Sequence, residues 1–253
     1  MPHSFGDILR EWRDVRRLSQ LQLSLEAGMS ARHLSFLESG RSQPSRAMVL
    51  KLADALSMPK ETANRALHSA GFAPVFPVLP FDDDALKPVR AAVEMLLDNH
   101  NPFPGVAIDR WWNVTDANQG AAALFAALGA GGNLNMLQVL LDLSETGVIE
   151  NWEENALLIL NRLKVEITHY GGDDRLEAFA ACFADHPRLK ALNRPIDYNQ
   201  AVISTVLRLG DSRLSLFSTI AQFGSVQDVS ASDIRIELMF PADDATRRHF
   251  ETV

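Results

Sequence analysis

The segment Ser30-Ala31-Arg32-His33-Leu34-Ser35-Phe36-Leu37-Glu38 gathers side chains suited to an anionic, hydrogen-bonding partner. Leu34 and Leu37 lie three apart and take the inner face of a helix over about 31–39, which leaves Ala31, Arg32, His33 and Phe36 outside. A guanidinium donates two parallel hydrogen bonds, so Arg32 can read guanine O6 and N7, a pairing worth about 1–3 kcal/mol of discrimination. His33 can donate to a base acceptor or a phosphate, and Ala31 and Phe36 can touch thymine methyls. Gln20, Ser35, Arg41 and Arg46 suit phosphates, contacts that position without specifying. A helix of this length fits a major groove with its first turns, opened by Ser30, toward base edges. The bland reading makes Arg32 and His33 solvated surface residues. An exposed ring at Phe36 needs a partner of some kind.

Other chemistry is thinly represented. Cys182 and His186 lie four apart, but no third orienting group is evident. Cys182 sits in the apolar run AFAACFA and is expected to be a buried thiol. His169-Tyr170-Gly171-Gly172 reads as a helix end. Gly129-Ala130-Gly131-Gly132 lacks the lysine of a phosphate loop and the strand before a dinucleotide turn. Spacing of the two-cysteine, two-histidine zinc type is absent. Asp82-Asp83-Asp84 suits a helix start better than a metal. An enzyme, a metal and a bound cofactor are therefore not expected.

The elements that must hold the basic helix are short. Phe5, Ile8, Leu9, Trp12 and Val15 recur at three and four, giving a first helix. Ser19 caps a second, Gly28 ends it, and Ser30 caps the third, which stops at Gly40. Pro44-Ser45 opens a fourth helix with Val49, Leu52, Ala53 and Leu56 inward, and a fifth runs from Glu61 to Ser69. Three prolines (Pro74, Pro77, Pro80) then mark an extended connector. Beyond it a helix, about 85–100, precedes GVAIDRWWNVTDAN, read as two short strands around a turn. Helices follow to about 192. AVISTVLRLG, RLSLFSTIAQFG and DIRIELMF read as three antiparallel strands. The expected domains are 1–72, all-α; 73–84, linker; and 85–253, α+β with helices on one sheet face.

The formal net charge is -8, but it is unevenly spread. Residues 1–72 carry ten Lys/Arg against seven Asp/Glu, and residues 73–253 carry 14 against 25. The small basic excess lies beside Arg32, where phosphate would meet it. No apolar run approaches the length of a membrane span, and MPHSFGDILREW has no leader pattern, so a cytoplasmic protein is expected.

LSQLQLSLEAGMSARHLSFLESGRSQPS, residues 18–45, resembles the repressor-type (Cro/XRE) helix-turn-helix family. Leu18-Ser19-Gln20, Gly28, Ser30, Leu34, Leu37, Glu38 and Gly40 agree in register with it. The resemblance implies a double-stranded DNA operator as partner, a homodimer, and a partly buried ion pair between Arg13 and Glu38. The sequence departs from the family at Leu21 and Leu25, which lie off the core face as either a docking surface or two scattered leucines.

RHLSFLESGRSQPSRAMVLKLADAL, LHSAGFAPVFP, DRWWNVTDAN, NWEENALLILNRL, LSLFSTIAQFG and IRIELMFPADDAT resemble the MmyB-like subfamily of these regulators. That resemblance implies a PAS-like rear domain that binds a small apolar ligand, a fatty acid. Candidates for an apolar tunnel are Trp112, Leu124, Phe125, Leu137, Leu140, Trp152, Leu160, Phe217, Ile220 and Phe223, although each taken singly reads more readily as plain core. Arg110 is the expected carboxylate anchor, because a guanidinium forks onto two oxygens. Asn113 and Asn118 can assist it or stabilise turns. Arg208 and Arg213 flank a hairpin and read as solvated. The expected protein is a sequence-specific DNA-binding regulator. The alternative to a ligand-sensing rear domain is a ligand-free protein-interaction module.

Overall fold

A computed structural model describes residues 4–132, 134–192 and 202–252. The chain forms two compact units. The first comprises Met1–Val78 with Val165–Asp173 and Gln227–Val229, and the second Leu79–Lys164, Asp174–Val226 and Ser230–Val253.

The first unit holds five helices: α1 (Phe5–Val15), α2 (Gln20–Glu26), α3 (Ala31–Glu38), α4 (Arg46–Ala55) and α5 (Lys60–Ser69). Serine hydroxyls of Ser4, Ser19, Ser30 and Ser45 accept an amide of the first turn in α1 to α4, which satisfies donors that the helix itself leaves open. The inward faces of Ile8, Leu9, Trp12, Leu23, Leu34, Leu37, Leu52, Leu56 and Leu67 close into one core. Each such side chain contributes about 1.5–3 kcal/mol by burial. Gly28 turns between α2 and α3 at φ +56, a conformation that costs other residues strain. Gly6 serves a different end. A Cβ there would lie 2.5 Å from the Glu38 carbonyl oxygen, so only glycine lets α1 approach the end of α3 this closely. The proline-rich connector is partly tied down. Asn64 accepts the Val75 and Phe76 amides and donates to the Phe76 carbonyl, which carries the first unit beyond residue 72.

The second unit is built on a five-stranded antiparallel sheet. Its strands are β1 (Gly105–Ile108), β2 (Val114–Ala117), β3 (Thr205–Leu209), β4 (Ser212–Gln222) and β5 (Arg235–Pro241), in the order β2-β1-β5-β4-β3. The central pair β1 and β5 joins residues far apart in sequence, with Ala107 opposite Ile236. Helix α6 (Lys87–His100) follows a 3₁₀ turn capped by Asp83 and covers one sheet face. Val93 and Leu97 meet Ala107, Ile236, Leu238 and Phe223 there. The remaining helices are α7 (Gln119–Ala127), α8 (Met136–Asp142), α9 (Trp152–Tyr170), α10 (Asp174–Asp185), α11 (Pro187–Lys190), α12 (Val229–Ser232) and α13 (Asp244–Thr252). An all-α front and an α+β rear of PAS-like pattern match the sequence expectation; the short α12 and the last helix, α13, were not anticipated. Cys182 departs from it. The buried residues of α10 are Leu176 and Phe183, one full heptad apart, and Cys182 lies off that stripe, exposed.

Candidate functional site

The first candidate surface is the N-terminal half of α3. The Ser30 hydroxyl accepts the His33 amide at 3.2 Å and fixes where the helix begins. Leu34, Leu37 and Glu38 are buried, Arg32 is exposed, and Ala31, His33, Ser35 and Phe36 are half-buried. Arg41 and Arg46 are exposed beyond the helix. Phe36 has its partners within the protein. The guanidinium carbons of Arg32 and Arg41 lie 5.4 and 6.0 Å from its ring centroid. A ring between two cations stabilises both and limits where they swing. The ring thus supports its two basic neighbours.

Below this surface Arg13 Nε donates to Glu38 Oε1 at 2.7 Å, with both side chains largely shielded. The hydrogen bond to Glu38 holds the Arg13 guanidinium above its ordinary range, against the effect of burial. Arg13 also donates to the Leu18 carbonyl, and Arg10 to the Glu38 carbonyl. Gln20 was expected at a phosphate. Its amide instead donates to Glu38 Oε2 at 2.8 Å, because the acid lies within reach of the first turn of α2. Leu21 and Leu25 are 60% and 70% exposed, so neither belongs to the core.

The second candidate lies wholly in the rear unit. A cavity of about 290 Å³ opens between the sheet and helices α7, α8 and α9. That volume is at the small end of ligand pockets, about 300–1,000 Å³. Its wall includes Trp112, Leu124, Phe125, Met136, Val139, Leu140, Leu158, Ile159, Leu207, Leu216 and Met239, with Asn155, Arg162, Thr205, Ser218 and Glu237 as polar members. Of the expected ligand residues, Trp112, Leu124, Phe125, Leu140 and Phe217 border it. Phe217 does so while its ring stacks on Phe240.

Trp112 is the most constrained of these. It is buried with φ +69, left-handed for a bulky residue, at a cost of about 1–3 kcal/mol. A polar network enforces that turn. Asp109 Oδ1 accepts the Trp111 and Asn113 amides, and its Oδ2 accepts Asn113 Nδ2. Asn135 donates to the Trp111 carbonyl and to Asn113 Oδ1, and caps α8 with its own oxygen. The guanidinium carbons of Arg162 and Arg235 lie 4.5 and 4.9 Å from the Trp112 ring.

Several expected ligand residues lie elsewhere. Arg110 does not border the cavity. It stacks on Trp111 at 4.2 Å and lies 3.8 Å from Asp233, because the turn around Trp112 breaks strand alternation. Asn113 holds that turn. Asn118 caps α7, accepts the Gly105 and Ala121 amides and donates to the Leu97 and Phe103 carbonyls, which fully occupies its amide. Leu137, Trp152 and Leu160 are core, and Trp152 Nε1 donates to the Leu140 carbonyl. Phe223 and Ala221 pack on the α6 face, and Ile220 does not line the cavity. Arg208 and Arg213 are exposed but converge on Glu150. The hydrogen bond from Arg213 leads in holding that carboxyl below its usual range.

Arg162 was missed. The signal existed: Asn155, Leu158, Ile159 and Arg162 follow helical spacing on one face of α9, beside the core stripe Trp152, Ala156, Leu160 and Leu163. Among the described residues no group of three or more His, Cys, Asp or Glu is arranged to hold a metal ion, and no helix is long and apolar enough to cross a membrane.

Residues 89–252 match the family described as the MmyB-like transcription regulator ligand binding domain, and residues 9–61 match a helix-turn-helix family. A similar protein is the HTH-type transcriptional repressor RghR of Bacillus subtilis (strain 168), 44% identical over 70 residues. The match covers 27% of this chain and 50% of that one, so the chain spans about half the length of this relative. A solved structure of an RNA-binding light-oxygen-voltage receptor aligns at 12% identity and TM-score 0.24, over 99% of this chain and 63% of that one. At that score the likeness carries no argument.

Proposed function

The chain belongs to the MmyB-like transcription regulators, and from that premise we propose that α3 reads an operator while the rear cavity senses a small apolar chain of the fatty-acid class. The observation that carries the ligand half is the apolar cavity with Arg162 as the one basic residue on its described wall. Arg162 takes the anchoring role first expected of Arg110, since a guanidinium on an apolar wall suits a carboxylate end group. Arg32 reads base edges, and Arg41 and Arg46 hold phosphates. Two copies bind one near-palindromic site with half-sites about 34 Å apart. The modest basic excess of a single front module favours such pairing.

The ligand half is tested by native mass spectrometry after mild extraction, followed by titration with decanoic acid. A co-purifying or titratable acyl chain supports the reading. A cavity that takes none favours the alternative, a rear domain that acts as an interaction module. Sedimentation with operator duplex is expected to show two chains per duplex, and one chain per site contradicts the dimer.

A further inference from the structure

Glu237, a residue of the rear cavity wall, carries one side-chain oxygen that nothing in the described protein satisfies. Glu237 Oε2 is buried and has no hydrogen-bond partner among the described residues. Glu237 lies on β5 and borders the cavity with Met239, while Ile236 and Leu238 between and beside them pack toward α6. Asn155 and Thr205, also on the wall, are engaged. Asn155 donates to the Asn151 carbonyl, and the Thr205 hydroxyl donates to Asn155 Oδ1 at 2.7 Å. Arg162 stacks on Trp112. A buried acceptor without a donor is costly, and native proteins seldom leave one.

We propose that the effector is a hydroxylated acyl chain, whose hydroxyl donates to Glu237 Oε2 while its apolar body lies against Trp112, Phe125 and Leu140. The inference rests on the reading of this cavity as an acyl-chain site. A plain chain leaves Oε2 as unsatisfied as before, whereas a hydroxyl that reaches it supplies the missing donor, so the plain chain binds more weakly. Sites built to hydrogen-bond a ligand hydroxyl reject the analogue that lacks it for this reason.

The test is calorimetric titration of the full chain with decanoic acid and with hydroxydecanoic acids carrying the hydroxyl at successive carbons. At least one hydroxylated isomer is expected to bind about tenfold or more tighter than decanoic acid. In Glu237→Leu that preference collapses to within about twofold while decanoic acid still binds. Glu237→Gln, a near-isosteric variant that keeps one acceptor oxygen, retains part of it and guards against a folding defect in the leucine variant. Equal binding of all the acids overturns the hydroxyl inference alone and assigns Oε2 a bound water. A preference that survives in both variants overturns the role of Glu237. Failure of every acid to bind overturns the acyl-chain reading itself.

Discussion

On the proposed reading, the side chains of the front module divide into readers, holders and supports. Arg32→Ala is expected to relax base preference at one operator position, with a loss of about 1–3 kcal/mol on the preferred sequence. Arg41→Ala weakens all sequences alike and lowers the salt slope by about one. Binding assays on a randomised operator, repeated at several salt concentrations, separate the two; a uniform loss from both removes the distinction. His169 supplies a pH prediction. Arg16 donates to the carbonyls of Leu56, Ser57, Thr168 and His169. Burial first, and the Arg16 charge second, hold the His169 imidazole below its ordinary range. The unfolded chain therefore takes up this proton before the folded one. The contribution is whole above the unfolded value, about 6.5, and is lost as pH falls through the lower folded value. Urea midpoints of His169→Gln should vary less between neutral and mildly acidic pH than those of the wild type.

At the scale of elements, sequence and structure part company in an instructive way. The helices of the front module were legible because one core consumes one stripe per helix, and serine caps announce each start. The Arg13–Glu38 pair followed from resemblance, and the geometry matches it. In the rear domain α9 carries two adjacent apolar stripes, one filling the core and one facing the cavity. Asn155 and Arg162 mark the cavity stripe, but leucine occurs on both, so only the tertiary gap tells Leu158 from Leu160. Arg110 and Trp112 likewise looked like partners two residues apart, until the left-handed Trp112 turned the chain. That turn depends on Asp109, whose carboxylate accepts three hydrogen bonds. Asp109→Ala is expected to destabilise the rear unit by about 2–4 kcal/mol and to weaken acyl-chain binding at the Trp112 wall. Chemical denaturation and ligand titration check both parts, and unchanged affinity would detach the turn from the site.

For the whole molecule, a ligand that fills the cavity binds the folded chain alone and must stabilise it. Decanoic acid at a hundred times its dissociation constant is expected to add about 2.7 kcal/mol, read from urea midpoints with and without it. The uneven charge, basic in front and acidic behind, was legible from sequence, as was the succession of two strands, helices and three strands, but not the order of strands in the sheet. The cavity was not, since it is a space that no residue encodes singly. The pairing of β1 with β5 at the middle of the sheet also sets a timetable for biosynthesis. The core of the five front helices can close while the ribosome is still translating the rear domain, because its residues all lie between Phe5 and Phe72. The sheet must wait until residue 241 has left the exit tunnel, with the β1–β2 hairpin meanwhile lacking its central neighbour. A nascent chain stalled before β5 would thus present a closed front core tethered to an unzipped remainder, and force-sensitive arrest sequences placed along the gene should register two separate pulls.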